Sequence, residues 1–469
     1  MGDTSKTDWQ KRLTKPADVM SRIEPGMNIF IGTGAAEPRT LTNHLMASEA
    51  ANLRDLTLVQ LMGFGDTLSL QNLSAHKFRL KTFFAGWSAR EAIATGRADW
   101  IPSRFSTVPQ LVQKKLIPID VAFVSLSAPN EEGYCSLGVA VDVARQAIGQ
   151  AKIVVGEINP ALPQTYGDTV VSTNEFDFLI EASGPPMYFP RWPLDPMFDQ
   201  VAAKVASVIN DGSCIGFTVG PIFEALSKHL TGKRNLGIHT PFFTDALMDL
   251  IQSGAVTNRN KRTYRGKTLT SYAFGTRRLY QWLDRNPLVE FQPIDTVFSP
   301  LEIGRNPNFT AVFPVRKVDL SGAIALYTGK LNATSGPGQA MDLFNGAEIS
   351  PGGSTIIALP SRNLRGEANI RLSIKAYPDQ INLPDSVDMV VTENGIARMV
   401  GRTVRERAQA LIEIAHPEDR ADLIDQAKSS KILFEDQVFV AESAHLYPAE
   451  ISERQAFKGD VEIFFRPIK

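Results

Sequence analysis

Short, almost wholly apolar runs alternate along this chain with stretches whose hydrophobic residues return every three or four positions. Asn28–Ile31, Val121–Leu126 and Lys152–Val155 lack the in-out alternation of a half-solvated strand, so they predict central strands buried on both faces. The first runs into Gly32-Thr-Gly34 and then a helical stretch from about Arg39 to Ala51. Cys214–Ile215, Ser354–Leu359 and Met389–Val391 repeat the strand–loop–helix style in the second half. The pattern predicts two open α/β halves with mostly parallel sheets.

Five prolines between Gly184 and Pro196 cannot continue a helix or a central strand, which sets the expected boundary there. The expected organisation is residues 1–190, residues 197–430 and a short C-terminal extension, 431–469. Near the end Thr403 and Glu406 fit a capping box, with Val404, Ala408, Leu411, Ile412 and Ala415 on one face. His416-Pro417 then restarts a helix with proline in its first turn. From about Lys431 the sequence turns β-prone and polar.

Composition narrows the function more than the fold. With 469 residues, 43% hydrophobic and 21% charged, there is material for more than one core. A net charge of −1 supplies no field that would draw the chain to nucleic acid or a membrane, so an anionic ligand must be held by local groups. No long apolar run and no signal-peptide core occur, so the expectation is a soluble cytoplasmic protein. Cys135 and Cys214 give no disulfide framework, and the six histidines show no metal-ligand spacing. They are expected to be buried thiols and structural or surface imidazoles, with His239 set aside for its position. Glycine-rich turns at Gly32/Gly34, Gly216/Gly220, Gly336/Gly338 and Gly352/Gly353 would let backbone N–H groups approach a phosphate or a thioester oxygen. None matches a dinucleotide fingerprint or a P-loop.

Ser127-Ala-Pro-Asn-Glu-Glu-Gly133-Tyr-Cys-Ser136-Leu-Gly138 resembles the Ser-x-x-Asp-x-x-Gly-x-x-Ser-x-Gly loop of class I CoA-transferases. Glu157–Gly167, Asp342 with Gly346-Ala347, Val391–Ala397 and Glu406–Pro417 are similar, in order, to later segments of the acetyl-CoA hydrolase/transferase family. The resemblance spans roughly residues 10 to 430. It implies a 4-hydroxybutyrate/acetate type of CoA-transferase acting on an acyl-CoA and a small carboxylic acid, with coenzyme A thioester as substrate and no covalently bound cofactor or metal. It also implies a homodimer, or a hetero-oligomer with a related subunit.

In that family a glutamate carboxylate attacks the thioester to give an acyl-glutamyl anhydride and CoA thiolate. The thiolate then attacks the glutamyl carbonyl, releases the acid and leaves a glutamyl-CoA thioester. Here Leu236-Gly-Ile-His239-Thr240 and Asp245 match the segment that carries this glutamate, but its position holds Pro241, which has no nucleophile. Phe298 stands where an asparagine is expected, and Gly338-Gln339 replaces a Gly-Gly pair. By the same resemblance, Val219, Gly220, Gly336, Gly338 and Gln339 are the oxyanion and CoA-binding candidates. Glu393 is the candidate for positioning or acid–base help, and His239, Phe242 and Phe298, with Phe217 and Phe243, are pocket candidates. Asp245 reads better as a residue orienting the next helix, Glu290 as a surface carboxylate, and Glu37 and Glu157 as minor loop candidates. Three functions are expected in this order: a transferase, with the glutamate supplied by a partner subunit or its chemistry rerouted; a non-catalytic CoA-thioester binder; and an acyl-CoA hydrolase.

Overall fold

In the computed structural model, residues 8–63, 77–84, 89–327, 340–377, 379–381 and 384–437 are described. Seven parallel strands form the first sheet, in the order Phe178–Glu181, Ile153–Ile158, Val121–Leu126, Asn28–Ile31, Leu56–Gln60, Phe78–Thr82 and Ala98–Trp100. The apolar runs are buried on both faces. Ile29, Ile31 and Phe123 pack into one core, while Phe30, Ala122 and Val124 enter another, as a period of two requires. The second sheet orders Gly237–Ile238, Cys214–Gly216, Phe309–Pro314, Ser354–Ala358 and Met389–Thr392 in parallel, with Gly395–Arg398 antiparallel at the edge. Its Ile356 and Ile357 likewise face different cores.

The proline-rich stretch carries no helix or strand before Pro196, where a helix starts with Asp195 accepting from the N–H groups of Met197 and Phe198. Backbone pairing nevertheless crosses from one half to the other. Tyr166–Gly167 adds to Val289–Phe291 as a parallel strand. Val141 N–H donates to the Ser271 carbonyl (3.1 Å), and Ala273 N–H to that of Val139 (2.8 Å). The largest core is continuous over this seam, running from Phe30 and Val124 through Val139 and Val141 to Ile215, Phe242, Tyr272 and Phe298.

Two clasps hold the second half to a short 3-10 turn, Phe105–Thr107. Phe105 meets the Phe298 ring edge-on at 5.4 Å. The buried Asp342 accepts from Ser106 N–H (3.0 Å) and Ser106 Oγ (2.8 Å). Asp342 sits in the helix Ala340–Ile349, which crosses Pro300–Gly304 at very close range because each helix offers a glycine. A Cβ on Gly346 would come within 2.4 Å of Ile303, and one on Gly304 within 2.4 Å of Ile349. Gly346→Val is therefore expected to cost about 1–3 kcal/mol by overpacking. A urea titration reads this as a lower midpoint, and an unchanged midpoint would mean that Ile303 can move aside.

Candidate functional site

In open parallel sheets, ligands bind beyond the carboxyl ends of the strands. At that end of the second sheet lie Phe217–Gly220, Thr240–Pro241, Pro360–Ser361 and Glu393. Val219 and Gly220 are half-buried and precede the helix Pro221–His229. Gly220 has φ of 141°, and a Cβ there would meet nothing within 4 Å, so its conformation, not crowding, demands glycine. Gly336, Gly338 and Gln339 lie outside the described residues, as does the extension from residue 438 onward.

Glu393 occupies the two-residue turn between Met389–Thr392 and Gly395–Arg398. Ser361 holds both of its oxygens: the Ser361 N–H donates to Oε2 at 2.9 Å, and its hydroxyl to Oε1. Ser361 is kept in place by the next residue, since Arg362 grips Asp419 through Nε (2.9 Å) and Nη2 (2.6 Å). The result is a fixed, half-buried carboxylate at the sheet's carboxyl edge.

Pro241 is buried, and its carbonyl accepts from Ser271 N–H (3.3 Å), Tyr272 N–H (3.0 Å) and Thr270 Oγ1 (3.1 Å). Thr240 Oγ1 donates to the Phe217 carbonyl at 2.7 Å, tying this segment to the Val219 loop. The backbone around Pro241 is thus built firmly, although a proline side chain offers neither a nucleophile nor a titratable group.

The aromatic and histidine candidates lie in the interior. His239, Phe242 and Phe298 are 0%, 2% and 0% exposed, so they form interior packing and offer no open pocket wall. His239 Nε2 donates to the Val297 carbonyl (2.7 Å), and its Nδ1 accepts from Asn306 Nδ2 (3.3 Å). Those contacts fix the neutral tautomer. Burial first, and then the charge of Lys261, push its pKa down from 6.5 to about 3. Phe217 and Phe243 are also fully buried, against Phe223 and Trp282. The family resemblance makes these residues pocket candidates. Instead His239 N–H continues the pairing to the Ile215 carbonyl, and the ring turns inward beside Phe309.

The alternative carboxylates are each engaged. Asp245 accepts from Thr276 N–H (2.9 Å) and Thr276 Oγ1 (2.6 Å), so it orients the helix start as expected. Asp249 pairs with Arg191, which also binds Glu224. Glu290 is mostly buried, not a surface group, and pairs with Lys267 Nζ at 2.6 Å. Glu157 caps the helix Arg39–Ala47, accepting from the N–H groups of Thr40 (3.2 Å) and Leu41 (2.9 Å). Glu37 is buried and meets Gln60 Nε2 at 3.4 Å. Sequence reading missed Ser361, and it missed a buried acid at the seam, Asp142. The signal for the latter was an acidic residue inside the apolar run Leu137–Ala144.

Comparison with known proteins gives this scaffold its class. Residues 2–189 match the acetyl-CoA hydrolase/transferase N-terminal domain and residues 275–427 its C-terminal domain. The chain belongs to the acetyl-CoA hydrolase/transferase family, and Pro241 lies between the two matched stretches. It is 33% identical to the 4-hydroxybutyrate coenzyme A transferase of Clostridium kluyveri over 421 residues, covering 90% of this chain and 98% of that protein. It is 34% identical to the succinyl-CoA:acetate/propanoyl-CoA:succinate CoA transferase of Fasciola hepatica, covering 86% and 84%. Among solved structures, RipA from Yersinia pestis superposes with a TM-score of 0.83 at 26% identity, covering 90% of this chain and 98% of RipA. Among the described residues, no helix is long and apolar enough to cross a membrane, and no group of three or more His, Cys, Asp or Glu could hold a metal ion.

Proposed function

We propose that this chain is a divergent acyl-CoA:carboxylate CoA-transferase, of the 4-hydroxybutyrate/acetate kind, in which the carboxylate at position 241 comes from a related partner subunit or its chemistry is rerouted. One observation carries the reading. The segment after Gly237–Ile238 has a well-bonded backbone at Thr240 and Pro241, tied to the Phe217 carbonyl, while position 241 holds a proline that offers no nucleophile. In this reading Gly220 lets the chain bring N–H groups to the thioester oxygen, and Glu393, held by Ser361, orients the carboxylic acid by sharing or exchanging its proton. The protein is cytoplasmic and oligomeric on the same reading.

Incubation with an acyl-CoA and an isotopically labelled short-chain acid tests it, and the label is expected in the CoA thioester. Absence of label, with and without a co-purified homologous subunit, would rule the transferase out. The lost nucleophile gives a second reading its footing: a CoA-thioester binder without turnover. Binding heat from acetyl-CoA or a longer acyl-CoA, with no exchange, would favour it. Free CoA released without any acceptor would instead indicate a hydrolase.

A further inference from the structure

The two oxygens of Glu393 are engaged unequally. Oε1 accepts from the Ser361 hydroxyl and from Asn394 Nδ2 at 3.4 Å. Among the described residues, Oε2 accepts only from the Ser361 N–H, at 2.9 Å. A carboxylate oxygen has two acceptor sites, so Oε1 is filled and Oε2 keeps one open. This asymmetry is set by the junction between the last two described helices, Val404–Ile414 and Pro417–Ser429. The residues on either side of Glu393 bond to it: Thr392 Oγ1 donates to the Ile414 carbonyl (2.7 Å), and Asn394 Nδ2 to that of Ala415 (3.3 Å). Ser361 is tied to the same junction through Arg362, which forks onto Asp419 and reaches Glu418 through Nη1 at 2.7 Å. A two-pronged guanidinium bond fixes direction as well as distance. It also holds the Asp419 carboxyl below its ordinary range. Asn369 N–H donates to the Ser361 carbonyl at 2.8 Å, so Ser361 is secured on both sides.

We infer that Arg362 is a positioning residue: gripped by Asp419, it aims Ser361 so that Glu393 Oε2 presents its open acceptor site to the O–H of the carboxylic acid. The inference rests on the transferase reading above. An ionised Glu393 accepts from an acid in its protonated form, whereas the anion would bring a second negative charge and no donor. The Arg362 guanidinium is met by two carboxylates of its own, Asp419 and Glu418, so it acts on the site through geometry and not as a cation for the substrate. The start of the helix Pro417–Ser429 thereby becomes part of the acid-binding half of the site, although neither Glu418 nor Asp419 touches Glu393.

Two affinities measured separately test the inference without needing turnover: calorimetry for CoA, and saturation-transfer NMR for butyric acid in the presence of CoA. Arg362→Gln and Asp419→Asn are each expected to weaken acid binding about tenfold, the effect of one misaligned hydrogen bond to a charged group, and to leave CoA binding unchanged. The two changes together should do no more than either alone. In a Glu393→Gln background Arg362→Gln should have no further effect, an outcome that a merely structural role would not give. Thermal melts check folding, which partly exposed ion pairs support only weakly. Unchanged acid affinity in a folded variant, an equal loss of CoA and acid binding, or the same fall with and without Glu393 would each overturn the inference. A native protein that binds CoA but no acid would instead show that the transferase reading has failed, and this inference with it.

Discussion

Replacing Pro241 by glutamate is expected to raise acyl-CoA:carboxylate exchange by roughly a hundredfold or more, because on the proposed reading a side-chain carboxylate there would supply the nucleophile of the covalent route. The surrounding backbone already suits the change. The Pro241 carbonyl is held by three donors, and Thr240 is fixed against the Phe217 carbonyl. The new side chain would enter a buried position, so the variant should be less stable by about 1–3 kcal/mol. Pro241→Gln carries the same steric load without a nucleophile and should show no rise. Equal exchange in both variants, with thermal melts confirming that they fold, would place the acyl-transfer position somewhere other than beside Thr240.

The second large effect is in stability against pH, and it comes from His239. Its neutral ring donates to Val297 and accepts from Asn306, so a second ring proton would meet an amide N–H as well as a dry interior. With a folded pKa near 3 against an ordinary 6.5, the unfolded chain takes the proton first. Stability is therefore complete above about pH 6.5 and is lost as pH falls towards 3, by an amount on the order of 4–5 kcal/mol at most. Asp142 slopes the other way. Its folded pKa of about 6, against 3.8, contributes stability at low pH that is lost as pH rises through 6. The test is therefore a difference: His239→Gln should flatten the acid limb of urea-midpoint-versus-pH curves relative to the native protein. Parallel curves would mean that His239 reaches water in the folded state.

Elements with a local cause were legible in the sequence. The Thr403–Glu406 capping box is present with both of its bonds. Pro417 starts the last described helix, behind His416 as its cap. The continuous apolar runs at residues 28–31 and 121–126 are central strands because both of their faces are covered. What could not be read was who pairs with whom at a distance. A two-residue strand such as Tyr166–Gly167 has no periodicity to detect, and its partner is more than a hundred residues away. The site divided in the same way. Position 241 was singled out from the short motifs that surround it, whereas the inward turn of His239 depends on Val297, at the end of one later helix, and Asn306, just past the next. Ser361 became visible as Glu393's holder only once two neighbouring strands brought their ends together.

The crossing of backbone pairing between the halves bears on how anything as long as a CoA thioester gets in. A clamshell that swings apart at residues 184–196 would have to tear Tyr166–Gly167 from Val289–Phe291 and Val139–Val141 from Ser271–Ala273. Admission must therefore come from loops and side chains yielding at the rim while the interlaced middle stays shut. For the same reason a fragment cut at residue 190 would carry raw strand edges into solution, and is a poor candidate for folding by itself.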